Sequence, residues 1–468
     1  MDADYVDERE PVAQASITRR ELLGSAAVLG AALGTRRIFG GAKAPSLKDR
    51  LPVTSARSRE STAEPVTLVV WEQLVSIGAM KPPTKLFTKM YPHITIKWVP
   101  VQIHETATKL LAALAAHSGA PDLAFIEYDD MGKFTGNGGA GLENLRPKMT
   151  RAPYALDQWW KPALDIATTP SGEIVGLPAD YGAEGTFYRR DTFKGGGLPT
   201  SPGDVLAEMK TWDDFIALGK KLRKASGKFM VNSGWDVFDI ARQQGVQAWF
   251  APDGKPIVDD AQFVAAAELA RQVRKNDIDL NPPDLFGYIT GATIPSVTSA
   301  FEDGDVACTF SAAWEEIVIA AEAPKTVGDW GVTLLPNNAR ANLGGSYFVL
   351  PTQAGHLDEA WLFASFILAT KASMQTYLAN FKFLPVWKPS YTVPSFKSPS
   401  AYFGKQIWLP EFITLADHDP KLVVTPNDSI AVTAVANALV SILNDKANPK
   451  NALTKAANSI ASQVRRAG

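Results

Sequence analysis

Four of the places where the chain sets a carboxylate beside an aromatic ring stand out: Trp71-Glu72-Gln73, Tyr128-Asp129-Asp130, Asp180-Tyr181 and Trp314-Glu315. Trp235 and Trp387 add two further rings. Carboxylates accept strong hydrogen bonds from hydroxyl or ammonium groups, and flat rings cover apolar C–H surface or face a cation. Three chemistries fit the combination. The first is capture of a neutral polyol, the second capture of a cation, and the third hydrolysis by two carboxyls about 5–9.5 Å apart. Other chemistries lack their residues. His93, His104, His117, His356 and His418 make no pair at metal-ligand spacing, so neither a metal nor a cofactor is expected. Gly136-x-Gly138-x-x-Gly141 matches a dinucleotide fingerprint in letters only, because it follows a helical stretch and opens no helix; it reads as a loop. Neither G-x-x-x-x-G-K-[ST] nor G-x-S-x-G occurs.

The elements that must carry these residues alternate. V-T-L-V-V-W (66–71) is a short apolar run rich in β-branched residues, the pattern of a strand buried on both faces in a parallel sheet. Trp71-Glu72-Gln73 ends this strand and is expected to place Glu72 at the edge of a cleft. Leu86, Phe87 and Met90 mark a helix stopped by Pro92, and Ile94, Ile96, Trp98 and Val99 mark a second strand. A helix over 109–117 and a third strand over 122–126 complete a β-α-β-α-β order, which predicts a doubly wound α/β unit. Asp129 and Asp130 follow that strand, where an N-cap role at the helix opening at Met131 is the competing structural reading. Thr211 with Asp214 forms a predicted capping box, and Asn448-Pro449 opens the last helix. Further strands are expected at 228–233, 306–310, 330–334 and 347–350, and a helix at 357–370, giving a second α/β unit.

Composition sets the limits. The chain has 468 residues, 46% of them hydrophobic, with 47 Lys+Arg against 49 Asp+Glu and a net charge of −2. Such a chain folds, exceeds the roughly 250–300 residues one core supports, and has no basic excess for nucleic acid. Two domains are expected. Arg19-Arg20 precede a charge-free, Ala/Gly-rich stretch from Leu22 to Gly34, too short for a bilayer span of about 20 residues. Residues 1–44 therefore resemble a twin-arginine export signal, and residues 45–64 a linker. Removing the signal takes away acidic and basic residues equally. The only cysteine, Cys308, lies far from the apolar stretch, so no lipid anchor is expected and no internal disulfide can form. A soluble periplasmic monomer is the expectation.

The landmarks then follow a recognisable order. V-T-L-V-V-W (66–71), K-L-F-T-K-M-Y-P-H-I-T-I (85–96), K-L-L-A-A-L-A-A-H-S-G-A-P-D-L-A-F (109–125) and G-N-G-G-A-G-L-E-N-L (136–145) come first. G-E-I-V-G-L-P (172–178), T-F-Y-R-R-D-T-F (186–193), K-T-W-D-D-F (210–215) and F-E-D-G-D-V-A-C-T-F-S-A-A-W (301–314) follow. Over about residues 65–465 the chain resembles the family 1 extracellular solute-binding proteins of ABC importers, in particular the sugar-binding, maltose-binding-protein-like branch. It departs from the family pattern at Tyr188-Arg189, Cys308 and Ala312-Ala313-Trp314.

The resemblance implies an α/β, two-lobed periplasmic-binding-protein-like clamp whose discontinuous lobes are joined by three hinge crossings, near 178–183, 343–347 and 384–388. The N-terminal lobe would comprise 65–181 and 347–386, and the C-terminal lobe 182–346 and 387–468. Gly182, Gly344 and Gly345 are placed to absorb closure. The implied activity is capture of a carbohydrate and its delivery to the membrane subunits of an ABC transporter, without catalysis. A cationic solute such as a polyamine or amino sugar is the rival ligand, and a carbohydrate-active enzyme pairing Asp129 with Glu72 or Glu315 the rival class. The implied ligand-binding set is Glu72, Asp129, Asp180, Tyr181, Trp235, Trp314, Glu315, Gly345 and Trp387, whereas Trp212 and Trp330 are placed in the core.

Overall fold

A computed structural model describes residues 64–102, 105–245, 247–290, 294–419 and 421–467. The expected export signal and residues 45–63 of the linker lie outside the described residues. The chain begins with β1 (Val66–Gln73), α1 (Leu74–Met90), β2 (Ile94–Val101), α2 (Glu105–Ala115) and β3 (Leu123–Glu127), the expected alternation. Short strands β4 (Leu177–Pro178), β5 (Asp180–Tyr181) and β6 (Gly185–Arg189) follow, then helices α3 (Trp212–Ser226), α4 (Gly234–Arg242) and α5 (Ala261–Lys275). Next come β7 (Cys308–Ser311), α6 (Glu315–Glu322), β8 (Trp330–Thr333) and β9 (Ser346–Val349). The longer elements end with α7 (Leu357–Ala369), α8 (Lys371–Asn380), β10 (Leu384–Pro385), α9 (Asp428–Leu443) and α10 (Pro449–Ala467), with shorter helical turns between them.

Two main sheets organise the molecule. The first has the order β2-β1-β3-β9-β4; β1 pairs in parallel with β2 and β3, but β9 enters antiparallel to both β3 and β4. This sheet is therefore mixed, not wholly parallel. Leu68 and Val70 of β1 are fully buried, and helices α1 and α7 cover them through Phe87 and Phe363, whose rings meet edge-on at 5.0 Å. The second sheet, β7-β6-β8, is antiparallel throughout. The strand expected over 228–233 is reduced to two parallel bridges, Phe229 with Val306 and Val231 with Asp279. Its tail instead turns into α4, because Ser233 caps that helix and ends the extended run. Helices α4, α5, α9 and α10 enclose a separate apolar cluster that includes Phe238, Phe263, Leu439 and Leu453.

Local signals hold where they are chemical. Thr211 Oγ1 accepts from Asp214 N at 3.1 Å while Thr211 N donates to Asp214 Oδ2 at 3.0 Å, which is the capping box at the start of α3. Asn448 Oδ1 accepts from Asn451 N at 3.1 Å at the start of α10. The 136–141 segment is a turn with Gly138, Gly139 and Gly141 at positive φ, with no helix after it. Trp330 is fully buried and stacks on Phe301, as expected of a core ring, while Trp212 is half-buried edge-on to Phe215.

The three segments between the sheets run side by side. β5 pairs with β10, placing Tyr181 opposite Leu384, and Gly182 exchanges backbone hydrogen bonds with Gly344 (3.0 Å) and Leu343 (2.9 Å). A side chain at Gly182 would collide with the Gly344 backbone. Gly345 has φ +134°, and a Cβ there would lie 2.7 Å from the Asp180 carbonyl oxygen, so only glycine fits.

Candidate ligand cleft

A cavity of about 450 Å³ opens between the turn after β3 on one side and α4, β7, α6 and α9 on the other. That size lies within the roughly 300–1,000 Å³ of small-molecule sites. Tyr128, Asp129 and Asp130 reach it from the first sheet; Glu184, Trp235, Asp239, Arg242, Trp314, Glu315 and Asp428 reach it from the rest. Helix α4 presents Trp235, Asp239, Arg242 and Gln243 at i, i+4, i+7 and i+8, one face of the helix. The start of that face is fixed by its cap, in which Ser233 Oγ accepts from Trp235 N and Asp236 Oδ2 accepts from Ser233 N.

Several cleft acids are already neutralised. Lys133 Nζ lies 2.6 Å from Asp130 Oδ1, and the buried pair Arg242–Asp239 closes at 2.7 Å. The Arg242 guanidinium also sits 3.8 Å from the centre of the Trp249 ring. Asp428 is pushed up to about 6, by burial first and then by the Asp129 charge, although Thr425 bonds to it pull the other way. Burial raises Glu184 well above the usual carboxylate range, with Asp239 and Asp419 adding to the effect. The cleft thus combines rings with carboxyls, of which Asp130 and Asp239 are paired with Lys133 and Arg242.

Behind it lies a second, smaller cavity of about 80 Å³, lined by Gln73, Glu127, Asp180, Gly345, Ser346 and Tyr377 among others. Trp314 and Leu343 line both spaces and so form the wall between them. Asp180 is raised to about 7, by burial first and then by Glu127, against hydrogen bonds with Ser346.

A model of the bacterial extracellular solute-binding proteins matches residues 84–404. The chain belongs to this family. The lactose-binding protein of Rhizobium radiobacter is 27% identical over 366 residues, covering 75% of this chain and 82% of its own. A crystal structure of an extracellular solute-binding protein family 1 member superposes with a TM-score of 0.71 at 21% identity, covering 85% of this chain and 99% of the other. The galacto-N-biose/lacto-N-biose I-binding protein of the Bifidobacterium longum ABC transporter, solved with lacto-N-biose, gives 0.69 at 18%, covering 86% and 98%. The fold is thus the two-lobed clamp of the solute-binding proteins, with discontinuous lobes and three crossings.

Within this solute-binding chain the nine residues singled out from sequence fall into three groups. Asp129, Trp235, Trp314 and Glu315 line the large cavity. Asp180 and Gly345 line the small one. Glu72, Tyr181 and Trp387 line neither. Glu72 is not at the cleft edge: β1 runs on to Gln73, and the two-residue pleat puts Glu72 on the inward face with Leu68 and Val70, fully buried. Burial raises its carboxyl well above the usual range, and Glu127 and Asp180 add to this. A pairing of Asp129 with Glu72 across the large cavity is therefore not formed; Gln73 faces the small cavity in its place. Tyr181 is buried beside Asp419 and Asn342. Trp387 is buried, with its indole Nε1 donating to the Pro153 carbonyl at 3.1 Å.

Asp130 does not cap a helix through its side chain. A 3₁₀ turn over Tyr128–Asp130 precedes the helix, Asp130 has helical dihedrals, and its carboxylate goes to Lys133. Sequence reasoning missed Glu184, Asp239, Arg242, Gln247, Trp249 and Asp428 in the large cavity. The helical spacing of Trp235, Asp239 and Arg242 was the available signal for two of them.

Proposed function

We propose that the protein is an exported receptor that closes on a carbohydrate in the large cavity and delivers it to the membrane subunits of an ABC importer. The observation that carries this reading is the lining itself: Trp235 and Trp314 offer ring faces, while Asp130 and Asp239 are already paired with cations. A neutral ligand with an apolar face and many hydroxyls matches that lining better than a cation does. The carbohydrate partners named for the relatives support the same class. In this reading Asp129, Trp235, Trp314 and Glu315 contact the sugar, and Asp180 and Gly345 shape the smaller compartment. Glu72, Tyr181 and Trp387 support these from behind. The lobes divide at 181/182, 346/347 and 386/387, and the receptor works as a monomer without catalysis.

A panel of lactose, lacto-N-biose and an arabinooligosaccharide tests it by thermal shift. A ligand at 100 times its dissociation constant adds about 2.7 kcal/mol to stability, which shifts unfolding by several degrees. No shift with any of these, alongside a salt-sensitive shift with a polyamine, would move the reading to a cationic solute. Release of reducing sugar from the panel would move it to an enzyme.

Export is proposed to use the Arg19-Arg20 signal and to leave the mature chain free in the periplasm, without a lipid anchor. Replacing both arginines with lysine is expected to hold full-length precursor in the cytoplasm. Unchanged periplasmic yield on cell fractionation would refute the twin-arginine route.

A further inference from the structure

Glu184 and Gln247 enter the large cavity from separate elements, and both are 2% exposed. Glu184 precedes β6 and is held by its backbone N–H donating to the Ala341 carbonyl at 2.9 Å. Gln247 is held by its own backbone, which donates to the Lys421 carbonyl and accepts from Val423 N at 2.9 Å. Glu184 Oε1 and Gln247 Oε1 have no hydrogen-bond partner among the described residues.

The orientation of the Gln247 amide is dictated by its neighbours. Its Nε2 donates to Gln243 Oε1, which also accepts from Asn342 N at 2.9 Å. Gln243 Nε2 in turn donates to Asp239 Oδ2 at 3.4 Å, and Asp239 is paired with Arg242. Flipping the Gln247 amide would set two carbonyl oxygens against each other, so Oε1 is the atom left over. Two buried acceptors therefore line one cavity with no donor assigned to them, an arrangement that costs stability until something donates to both.

We propose that Glu184 and Gln247 are the specificity-determining pole of the cleft, each accepting a hydrogen bond from a hydroxyl of a neutral saccharide. This deepens the carbohydrate reading above and rests on it. The hydroxyl class fits because neither cation among the described lining residues is free to donate to the two acceptors: Lys133 is paired with Asp130, and Arg242 is engaged by Asp239 and Trp249. A carboxyl that burial and nearby acids hold toward its protonated form also matches a neutral partner, which can both give and take a proton bond. None of Glu184, Gln243 and Gln247 belongs to a strand-end acid–aromatic pair, which is why the pole is invisible without the fold.

The test uses calorimetric titration of the full mature chain with lactose, lacto-N-biose and an arabinooligosaccharide, taking the tightest of the three. Glu184→Ala and Gln247→Ala are each expected to weaken binding about tenfold or more. Glu184→Gln, which keeps an acceptor oxygen, is expected to stay within about threefold. The ligand-free unfolding midpoint of Glu184→Ala should be unchanged or higher, because a buried acceptor without a donor is removed; a purely structural role would lower it. If Glu184→Ala fails to fold, Gln247→Ala carries the same test from the other end of the network. Binding by both alanine variants within about twofold of wild type would overturn the proposal while leaving the carbohydrate reading intact. Glu184→Gln as damaging as Glu184→Ala would also overturn it, because the amide keeps the acceptor oxygen on which the proposal rests. Wild type that binds none of the three sugars would overturn both readings together.

Discussion

Trp314→Ala is expected to weaken sugar binding by about 2–4 kcal/mol, roughly 30-fold to 1,000-fold, the largest loss of any single cleft substitution. Among the described residues the indole is the one large ring that lines both cavities, and it lies over Gly344 at the second crossing, so close that a Cβ on that glycine would be 3.0 Å from its edge. Truncation removes the stacking surface and also merges the two compartments into one wetter space. Affinity for the tightest sugar of the panel, measured by calorimetry beside the ligand-free unfolding midpoint, separates this from a folding defect. A variant that folds normally and binds within about threefold of wild type would remove Trp314 from the site.

Asp180→Asn should act on stability, with a sign that depends on pH. The Asp180 carboxyl is raised from 3.8 to about 7 in the folded protein. The folded state therefore holds this proton more tightly than the unfolded chain. The resulting contribution is fully present below about pH 4 and is lost as pH rises through about 7. Above that, the native protein carries a largely buried, charged carboxylate next to Glu127. The amide removes that cost and keeps a group able to bond Ser346. Asp180→Asn is thus expected to be more stable than wild type by on the order of 2–4 kcal/mol at pH 8.5, with the difference vanishing by pH 4. Urea midpoints at the two pH values check this. A difference that does not change with pH would mean that Asp180 is not held protonated.

The sequence carried the first sheet well because its signals are local: V-T-L-V-V-W forms β1, and the capping pair Thr211 and Asp214 opens α3, with no help from distant residues. It carried Trp314 and Asp129 into the cleft because both lie beside strand ends, where this architecture opens. It misplaced Glu72 because alternation decides facing, and a strand two residues longer than its apolar run turns that carboxylate inward. The 228–233 strand failed because strand propensity is only a weak prior, and the Ser233 cap overrode the short Phe229-Met230-Val231 run. Glu184 and Gln247 could not be found at all, since the cavity gathers them from distant parts of the chain and the Gln247 acceptor is left over only because Gln243 takes its amide N–H.

The antiparallel strand β9 has a bearing on when the molecule can become itself. Ser346–Val349 lies between β3 and β4, with Ser346 opposite Glu127, 219 residues earlier in the chain. A sheet closed by so distant a strand cannot be finished while the ribosome is still making the middle of the protein. Until then β3 presents a bare edge, which is an invitation to wrong partners. Assembly is a late event for this chain.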